Sequence, residues 1–148
     1  MSHGPGLALS EMPAADMPSV AAAGMMTLPP LECGDRGAIV MTSSVAAQDA
    51  PAATVAYVAA KAAINGMTLA MARDLAPEAI RVNTILPGNF DTPLLASVSD
   101  DYKQRMHDWN LHPRRFGRPD EYAAMALLAI ENGYLNAALL RLDGGSRT

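Results

Sequence analysis

The spacing of apolar and polar residues changes at about residue 37. Ala38-Ile39-Val40-Met41-Thr42 is a short, β-branched apolar run with the length and character of a buried strand. A loop through Asp49 and Pro51 follows. Ala, Met and Leu then dominate from about Thr54 to Leu75, which predicts a long helix that stops near Pro77. Ile80 to Leu86 reads as a second strand, closed by Pro87-Gly88. Asp91-Thr92-Pro93 predicts the cap and first turn of a short helix carrying Leu94 and Leu95. A more polar helix is predicted over roughly Asp100 to Trp109. Pro119-Asp120-Glu121 opens another, with proline and acids in its first turn and an apolar stretch from Ala123 to Ile130. Asn132-Gly133 ends it, and Ala138 to Leu142 forms a third strand before Asp143-Gly144-Gly145. Strand, helix, strand, helix, strand is the order of an α/β fold with a parallel sheet and helical crossovers.

Residues 1–36 differ in character. Prolines at 5, 13, 18, 29 and 30 interrupt any helix or central strand, and the segment reads as irregular or disordered, with a short helix around Val20 to Met26 as the one element it allows. Gly4-Pro5-Gly6 has no preceding strand and no third glycine at the spacing a phosphate loop needs. The domain proper is expected over residues 37–148.

Composition narrows the function classes. Eleven Lys+Arg face fifteen Asp+Glu, a formal charge of −4 with no long run of either sign, so no nucleic-acid footprint is present. A single cysteine, Cys33, excludes an internal disulfide and fits a reducing compartment. No apolar run in the sequence approaches the ~18 residues of a membrane span. The N-terminus carries Glu11 and Asp16 where a signal peptide has positive charge. The expectation is a soluble, unexported, cytoplasmic chain. His107 and His112 read as surface residues, and no partnered ligand set points to a metal.

Candidate chemistry centres on Ser44 to Lys61. Tyr57 and Lys61 stand four apart, so on a helix they share a face, and a cation beside a phenol favours the phenolate. Such a tyrosine exchanges protons near neutral pH. The plain alternative is a packed helix tyrosine and a solvated lysine. Against it, the chain holds only two lysines, and one follows a tyrosine by one turn. The first strand also delivers Ser44 to its C-terminal end, where open α/β sheets bind ligands. Pro87-Gly88 ends the next strand, and Thr92 follows shortly after. The plain readings of these are a turn and a helix cap.

Taken together, residues from about Gly37 to Arg147 resemble the C-terminal half of a short-chain dehydrogenase/reductase. Gly37-Ala-Ile-Val-Met-Thr-Ser-Ser44 is similar to the strand leading to that family's catalytic serine. Tyr57-x-x-x-Lys61 is similar to its catalytic pair, and Ile80-Arg-Val-Asn-Thr-Ile-Leu-Pro-Gly88 to the strand leading to its nicotinamide site. Arg115-x-Gly117-x-Pro119-x-Glu121 and Leu142-Asp-Gly-Gly145 resemble its late motifs. Gly66-Met-Thr-Leu, Ala72-Arg-Asp-Leu-Ala-Pro77, Asp91-Thr-Pro-Leu-Leu95, Ile130-Glu-Asn-Gly133 and Arg141-Leu-Asp-Gly144 look closer to the branch of type-2 3-hydroxyacyl-CoA and 17-beta-hydroxysteroid dehydrogenases.

The resemblance implies an NAD-linked oxidoreductase that interconverts a secondary alcohol and a ketone on a small 3-hydroxyacyl-CoA or hydroxysteroid-like substrate. It implies that Tyr57 exchanges the proton, that Lys61 holds the nicotinamide ribose, and that Ser44 bonds the substrate oxygen. Pro87 and Gly88 border the nicotinamide, and Thr92 reaches its carboxamide or the phosphates. Ser43 is one residue off and points to the other side of the strand. The segment from Leu94 to Trp109 covers the substrate. In fold terms the resemblance implies a partial Rossmann-like sheet, strands 5-6-7 of the order 3-2-1-4-5-6-7, with flanking helices.

Several family features have no counterpart in the sequence. The glycine-rich dinucleotide turn is absent, and all six asparagines (65, 83, 89, 110, 132, 136) lie downstream of Ser44, leaving the family's catalytic asparagine unfilled. Ala60, Ala79, Ala137 and Ala138 replace the usual serine, glycine and Gly-Glu pair. The edge of the first strand is expected to be unpaired. Without pyrophosphate contacts at a helix N-terminus, dinucleotide binding and turnover by these residues alone are expected to be weak. An alternative is a non-catalytic association module, a homo-oligomer packed through the helix at about 54–75, whose Ala59, Ala60, Ala62, Ala63 and Gly66 allow close contact. A truncated fragment without independent role is the third reading.

Overall fold

The computed structural model of the chain describes residues 23–26, 34–93 and 99–147. The predicted helix at Leu94 and Leu95, and most of the first 36 residues, lie outside these. Four strands, β1 (Ala23–Met26), β2 (Gly37–Thr42), β3 (Ile80–Pro87) and β4 (Leu139–Leu142), form one sheet in the order β1-β2-β3-β4. Strands β2, β3 and β4 run parallel, in registers that pair Gly37 with Ile80 and Thr84 with Leu139. The helices are α1 (Ala46–Asp49), α2 (Val55–Leu75), α3 (Asp100–Trp109) and α4 (Pro119–Glu131). A 3-10 turn, Ala76–Glu78, extends α2. The parallel strands and the three longer helices fall where the apolar spacing puts them, and α1 is a single turn inside the expected loop.

One expectation is corrected at the sheet edge. Ala23–Met26 is neither irregular nor helical: it pairs antiparallel with β2, Ala23 opposite Met41 and Met26 opposite Ala38. The edge of β2 is therefore occupied. Ala-Gly-Met-Met has poor intrinsic strand preference, so the pairing comes from the row of free N–H and C=O groups on β2.

Alternation along the strands assigns their two faces. Ile39, Met41 and Val82 pack with Ala72 of α2, and with the half-buried Ile64, Met71 and Leu75 of the same helix. Thr84 and Thr68 of α2 bond hydroxyl to hydroxyl at 2.7 Å. The opposite face meets α4: Thr42 bonds Tyr122, and Arg81 bonds the carbonyls of Ala129 and Ile130. A sheet covered on both sides explains why every residue from Arg81 to Leu86 is buried.

Helix α2 rests on the sheet along one stripe, and only Thr68 and Ala72 on it are fully buried. With its 3-10 extension it spans 24 residues at a mean hydropathy of 1.3 over its most apolar window. By length and composition this helix is apolar enough to cross a membrane, which the expectation of no such run missed. It packs here on the sheet through Ile64, Met71 and Leu75.

Two alanines that stand where the resembled family has glycine keep a glycine-like backbone. Ala79 has φ 54° and Ala137 φ 57°. Each is held by a backbone bond from its N–H, Ala79 to Ala76 O at 3.0 Å and Ala137 to Val82 O at 2.8 Å.

The polar centre of the sheet is Arg81, 4% exposed. It pairs with Asp35 just before β2, donates to Ala129 O and Leu135 O at 2.9 Å, and to Ile130 O at 2.5 Å. The carbonyls left free at the end of α4 thereby find a cation, which suits the negative end of a helix. Asn83 beside it donates to Leu135 O at 2.8 Å and accepts from Ala138 N at 3.1 Å. Replacing Arg81 with Met would leave Asp35 and the carbonyls of Ala129 and Ile130 without this donor, while Leu135 O keeps Asn83. The expected loss is about 3 kcal/mol in urea-induced unfolding; an unchanged midpoint would contradict this account of the sheet.

Candidate active site

Parallel pairing sends the ends of β2, β3 and β4 to the same side of the sheet. The ladder runs on past β2, with Ser43 N donating to Ile85 O at 2.9 Å and Val45 N to Pro87 O at 3.1 Å. Two adjacent serines consequently point in opposite directions. Ser43, 2% exposed, donates from Oγ to Lys61 O at 2.8 Å and ties the strand end to α2. Ser44 faces a cavity of about 550 Å³ at the C-terminal ends of the strands. Its Oγ accepts from Ala46 N at 3.2 Å, so the hydroxyl proton is free to be given elsewhere.

Ser44, Tyr57, Pro87, Gly88 and Thr92, five of the six residues singled out from the sequence, line this one cavity. Tyr57 sits in the first turn of α2 and is 49% exposed. The sixth, Lys61, stands one turn further on and is not among the lining residues. Its Nζ lies 5.9 Å from the centroid of the Tyr57 ring and donates to Thr42 O at 3.3 Å. The ammonium therefore backs the tyrosine from inside the sheet-facing side.

Gly88 is fixed by packing. A Cβ there would lie 2.8 Å from Asp143 Cβ and 2.9 Å from its Cα, while Gly88 N donates to Leu142 O at 3.0 Å. Only a residue without a side chain lets the end of β3 lie this close to the end of β4. Gly117 likewise accommodates the flat ring of Phe90.

Phe90, Met106, Trp109 and Tyr122 supply an apolar wall; Met106 and Trp109 belong to the segment expected over the substrate, while Phe90 and Tyr122 were not picked out from the sequence. Tyr122 Oη lies 2.5 Å from Thr42 Oγ1, and its ring stands edge-on to Phe90 at 6.0 Å. The sequence signal for Tyr122 was its place three residues into a helix, which is common to many buried tyrosines. His107 packs edge-on against Phe116 at 4.2 Å, away from any ligand set. No group of three or more His, Cys, Asp or Glu that could hold a metal occurs among the described residues.

Two ion-pair clusters brace the rim. Arg115 donates to Glu121 at 2.9 and 2.7 Å, and Arg118 N to Glu121 Oε2 at 2.8 Å. The Arg115 hydrogen bonds, then the Arg118 backbone, hold the Glu121 carboxyl down to about 2. On the other side Asp49 is lowered chiefly by hydrogen bonding to Arg141, whose own value is raised.

The donor set defines what the cavity can hold. Its lining carries hydroxyls, Ser44, Tyr57 and Thr92 among them, the Asp49 carboxylate and the backbone at Gly88, set against the apolar wall. Among the described residues no lysine or arginine lines the cavity.

Residues 11–147 match the family described as Enoyl-(Acyl carrier protein) reductase. The chain is 47% identical over 118 residues to 3-hydroxyacyl-CoA dehydrogenase type-2 of Bos taurus, covering 80% of this chain and 45% of that protein. The solved structure of 3-hydroxyacyl-CoA dehydrogenase type-2 from Mycobacterium avium superimposes with TM-score 0.77 at 43% identity, over 81% of this chain and 46% of that one. A 7 alpha-hydroxysteroid dehydrogenase complexed with NADH and 7-oxo glycochenodeoxycholic acid gives TM-score 0.70 at 32% identity, over 75% of this chain and 44% of that one. The chain thus spans about half the length of the relatives it matches.

The Glu121 cluster sets a pH test. A carboxyl whose folded value lies below its ordinary 4.5 contributes stability that is complete above 4.5 and lost as pH falls towards about 2. Glu121→Gln should therefore melt below the wild type near neutral pH, and the gap should close across that acid window. A gap that stays constant with pH would exclude the ionised pair as its source.

Proposed function

The chain belongs to the short-chain dehydrogenase/reductase family, and from that membership we propose that its cavity is the alcohol-handling half of an NAD-linked secondary-alcohol dehydrogenase site. The observation that carries the reading is the convergence of Ser44, Tyr57, Pro87, Gly88 and Thr92 on a single cavity, with Lys61 behind the tyrosine. The substrate class is a 3-hydroxyacyl thioester or hydroxysteroid, by analogy with the relatives' names.

Ser44 donates a hydrogen bond to the substrate oxygen, its own acceptor position being filled by Ala46 N–H. Tyr57 takes the hydroxyl proton as the alcohol becomes a ketone and returns it in the reverse direction. Lys61, whose Nζ donates to Thr42 O and lies 5.9 Å from the centroid of the Tyr57 ring, is the residue that would hold the nicotinamide ribose. Gly88 and Pro87 present backbone to the nicotinamide end of the dinucleotide, which when bound accepts or returns the substrate's hydride. Thr92 offers its hydroxyl to the carboxamide. The apolar wall of Phe90, Met106 and Trp109 excludes water from the reacting carbon.

The 148-residue chain should bind NAD⁺ weakly, because its sequence has no counterpart of the glycine-rich turn that holds a pyrophosphate at a helix N-terminus. Slow NADH formation from 3-hydroxybutyryl-CoA is expected, and Tyr57→Phe should lower it by about a hundredfold or more. Turnover that survives this substitution would remove Tyr57 from the chemistry. Saturation transfer from protein to NAD⁺ should favour nicotinamide over adenine protons, and the reverse pattern would sink the proposed orientation.

A second reading, self-association, has its own observation: the outward side of α2. Ala59, Ala60, Ala63, Gly66 and Ala70 are exposed there, Leu69 is 47% exposed, and nothing lies within 4 Å of a Cβ built on Gly66. Two such faces can approach closely and bury apolar surface. Light scattering at micromolar concentration should give a dimer or larger species, reduced to monomer by Ala63→Arg. A wild-type chain that is strictly monomeric under those conditions would rule this out.

A further inference from the structure

The stretch from Ser44 to Thr54 forms one side of the cavity through Ser44, Val45, Ala46, Asp49, Pro51 and Thr54. On local grounds this stretch is poorly held. Its one helical element, α1, has four residues, none of them buried, and no side-chain hydrogen bond from its N-cap Val45. A single turn of helix is not stable by itself. Two of its alanines carry positive φ, Ala50 at 49° and Ala53 at 63°. Non-glycine residues in that region persist where the surroundings over-determine them.

What over-determines them comes from the far end of the chain. Arg141 on β4 donates from Nη1 to Asp49 Oδ1 at 2.8 Å and to Gln48 Oε1 at 3.0 Å, and from Nη2 to Asp49 Oδ2 at 2.9 Å. The same guanidinium is oriented from below by Asp143, which accepts from Nε at 2.9 Å and Nη2 at 2.6 Å, and by Ser146 O at 3.1 Å. Arg147 also reaches Asp143, at 3.3 Å. Within the stretch the other side-chain bonds are local, Ala46 N to Ser44 Oγ at 3.2 Å and Thr54 Oγ1 to Pro51 O at 2.6 Å, so among the described residues the long-range side-chain tie of residues 46–53 is the one to Arg141. A fork-to-fork pair of this kind fixes orientation as well as distance.

We propose that Arg141 is a positioning residue for the cavity: it holds Asp49, and through it the strained Ser44–Thr54 wall, in the shape that accepts ligand, without lining the cavity itself. The pair is only partly exposed, with side-chain accessibilities of 22% for Arg141 and 13% for Asp49, so solvent screens it incompletely. Because Ser44 stands at the start of this wall and Thr54 at the threshold of α2, slack in the wall would displace the Ser44 hydroxyl relative to Tyr57. The ligand part of the argument relies on the reading of this cavity as the substrate site; the mechanical part does not.

Two measurements on the 148-residue chain separate these parts. In Arg141→Gln, and separately in Asp49→Asn, amide hydrogens from Ala46 to Ala50 should exchange about tenfold faster, while those of Val82 to Ile85 keep their protection. Asp49→Glu, which keeps the carboxylate, should restore slow exchange. Unchanged exchange at Ala46 to Ala50 in Asp49→Asn overturns the proposal. So does a uniform loss across β3, which would make the pair a general stabiliser. The chain's single tryptophan, Trp109, lines the same cavity and reports occupancy by its fluorescence. Androsterone, a saturated hydroxysteroid, should bind the wild type, bind Asp49→Asn about tenfold more weakly, and recover in Asp49→Glu. Equal affinity in wild type and Asp49→Asn overturns the positioning role. No binding to the wild type would count against the substrate reading alone, and the exchange data would still decide the role of Arg141.

Discussion

A buried guanidinium holds this fold together. Arg81 lies in the middle strand of the parallel trio, yet its contacts reach Asp35 before β2, the carbonyl end of α4, and the loop that enters β4. An ionised group in that position is tolerable only because every direction around it offers an oxygen. The consequence is geometric. Strands β2 and β4 and helix α4 are referred to one point on β3, so the strand ends that build the cavity are set relative to one another. Asn83 and Asn136 repeat the device on a smaller scale, satisfying the backbone at Ala138, Val82 and Ala137.

From that frame the site follows by simple alternation. A ladder that continues two residues past Thr42 turns Ser43 into the helix and Ser44 into the cavity. Ser43 is thereby a fastener: its bond to Lys61 O lies in the very turn that carries the Tyr57–Lys61 pair. The short approach of Gly88 to Asp143 brings β3 and β4 together at the same rim. Hydroxyls, glycine backbone and an aromatic wall are thus collected by packing rules that act tens of residues away from them.

Much of this was legible in the chain. The parallel strands and long helices are written in β-branched runs, in alanine-rich stretches and in Pro, Gly and Asn stops, and the observed bounds of α2 begin one residue after the expected ones. Five of the six candidate residues meet in one cavity: Ser44, Pro87 and Gly88 sit at strand ends, which local pattern encodes well, and Tyr57 opens the helix that follows. What escaped was long-range. Strand β1 has no strand-like composition and exists because β2 has an open edge. The partners of Arg81 and Arg141 lie up to 93 residues away in sequence, and an arginine in a strand gives no hint of which carbonyls or acids it will meet. Lys61 shows the converse limit: its spacing from Tyr57 was plain, but its bond to Thr42 O depends on how the helix sits on the sheet.

Ala79 and Ala137 invert the usual relation between chain flexibility and native stability. An L-residue in the left-handed region costs roughly 1–2 kcal/mol against glycine, whereas glycine's extra freedom in the unfolded chain costs about half to one. At these two positions the stiffer residue is thus the weaker choice for the folded state. They form a reserve of stability that substitution by the most flexible amino acid would release, one at each junction where the backbone enters β3 or β4. Elsewhere in the sheet, glycine would loosen the molecule. Here it would tighten it.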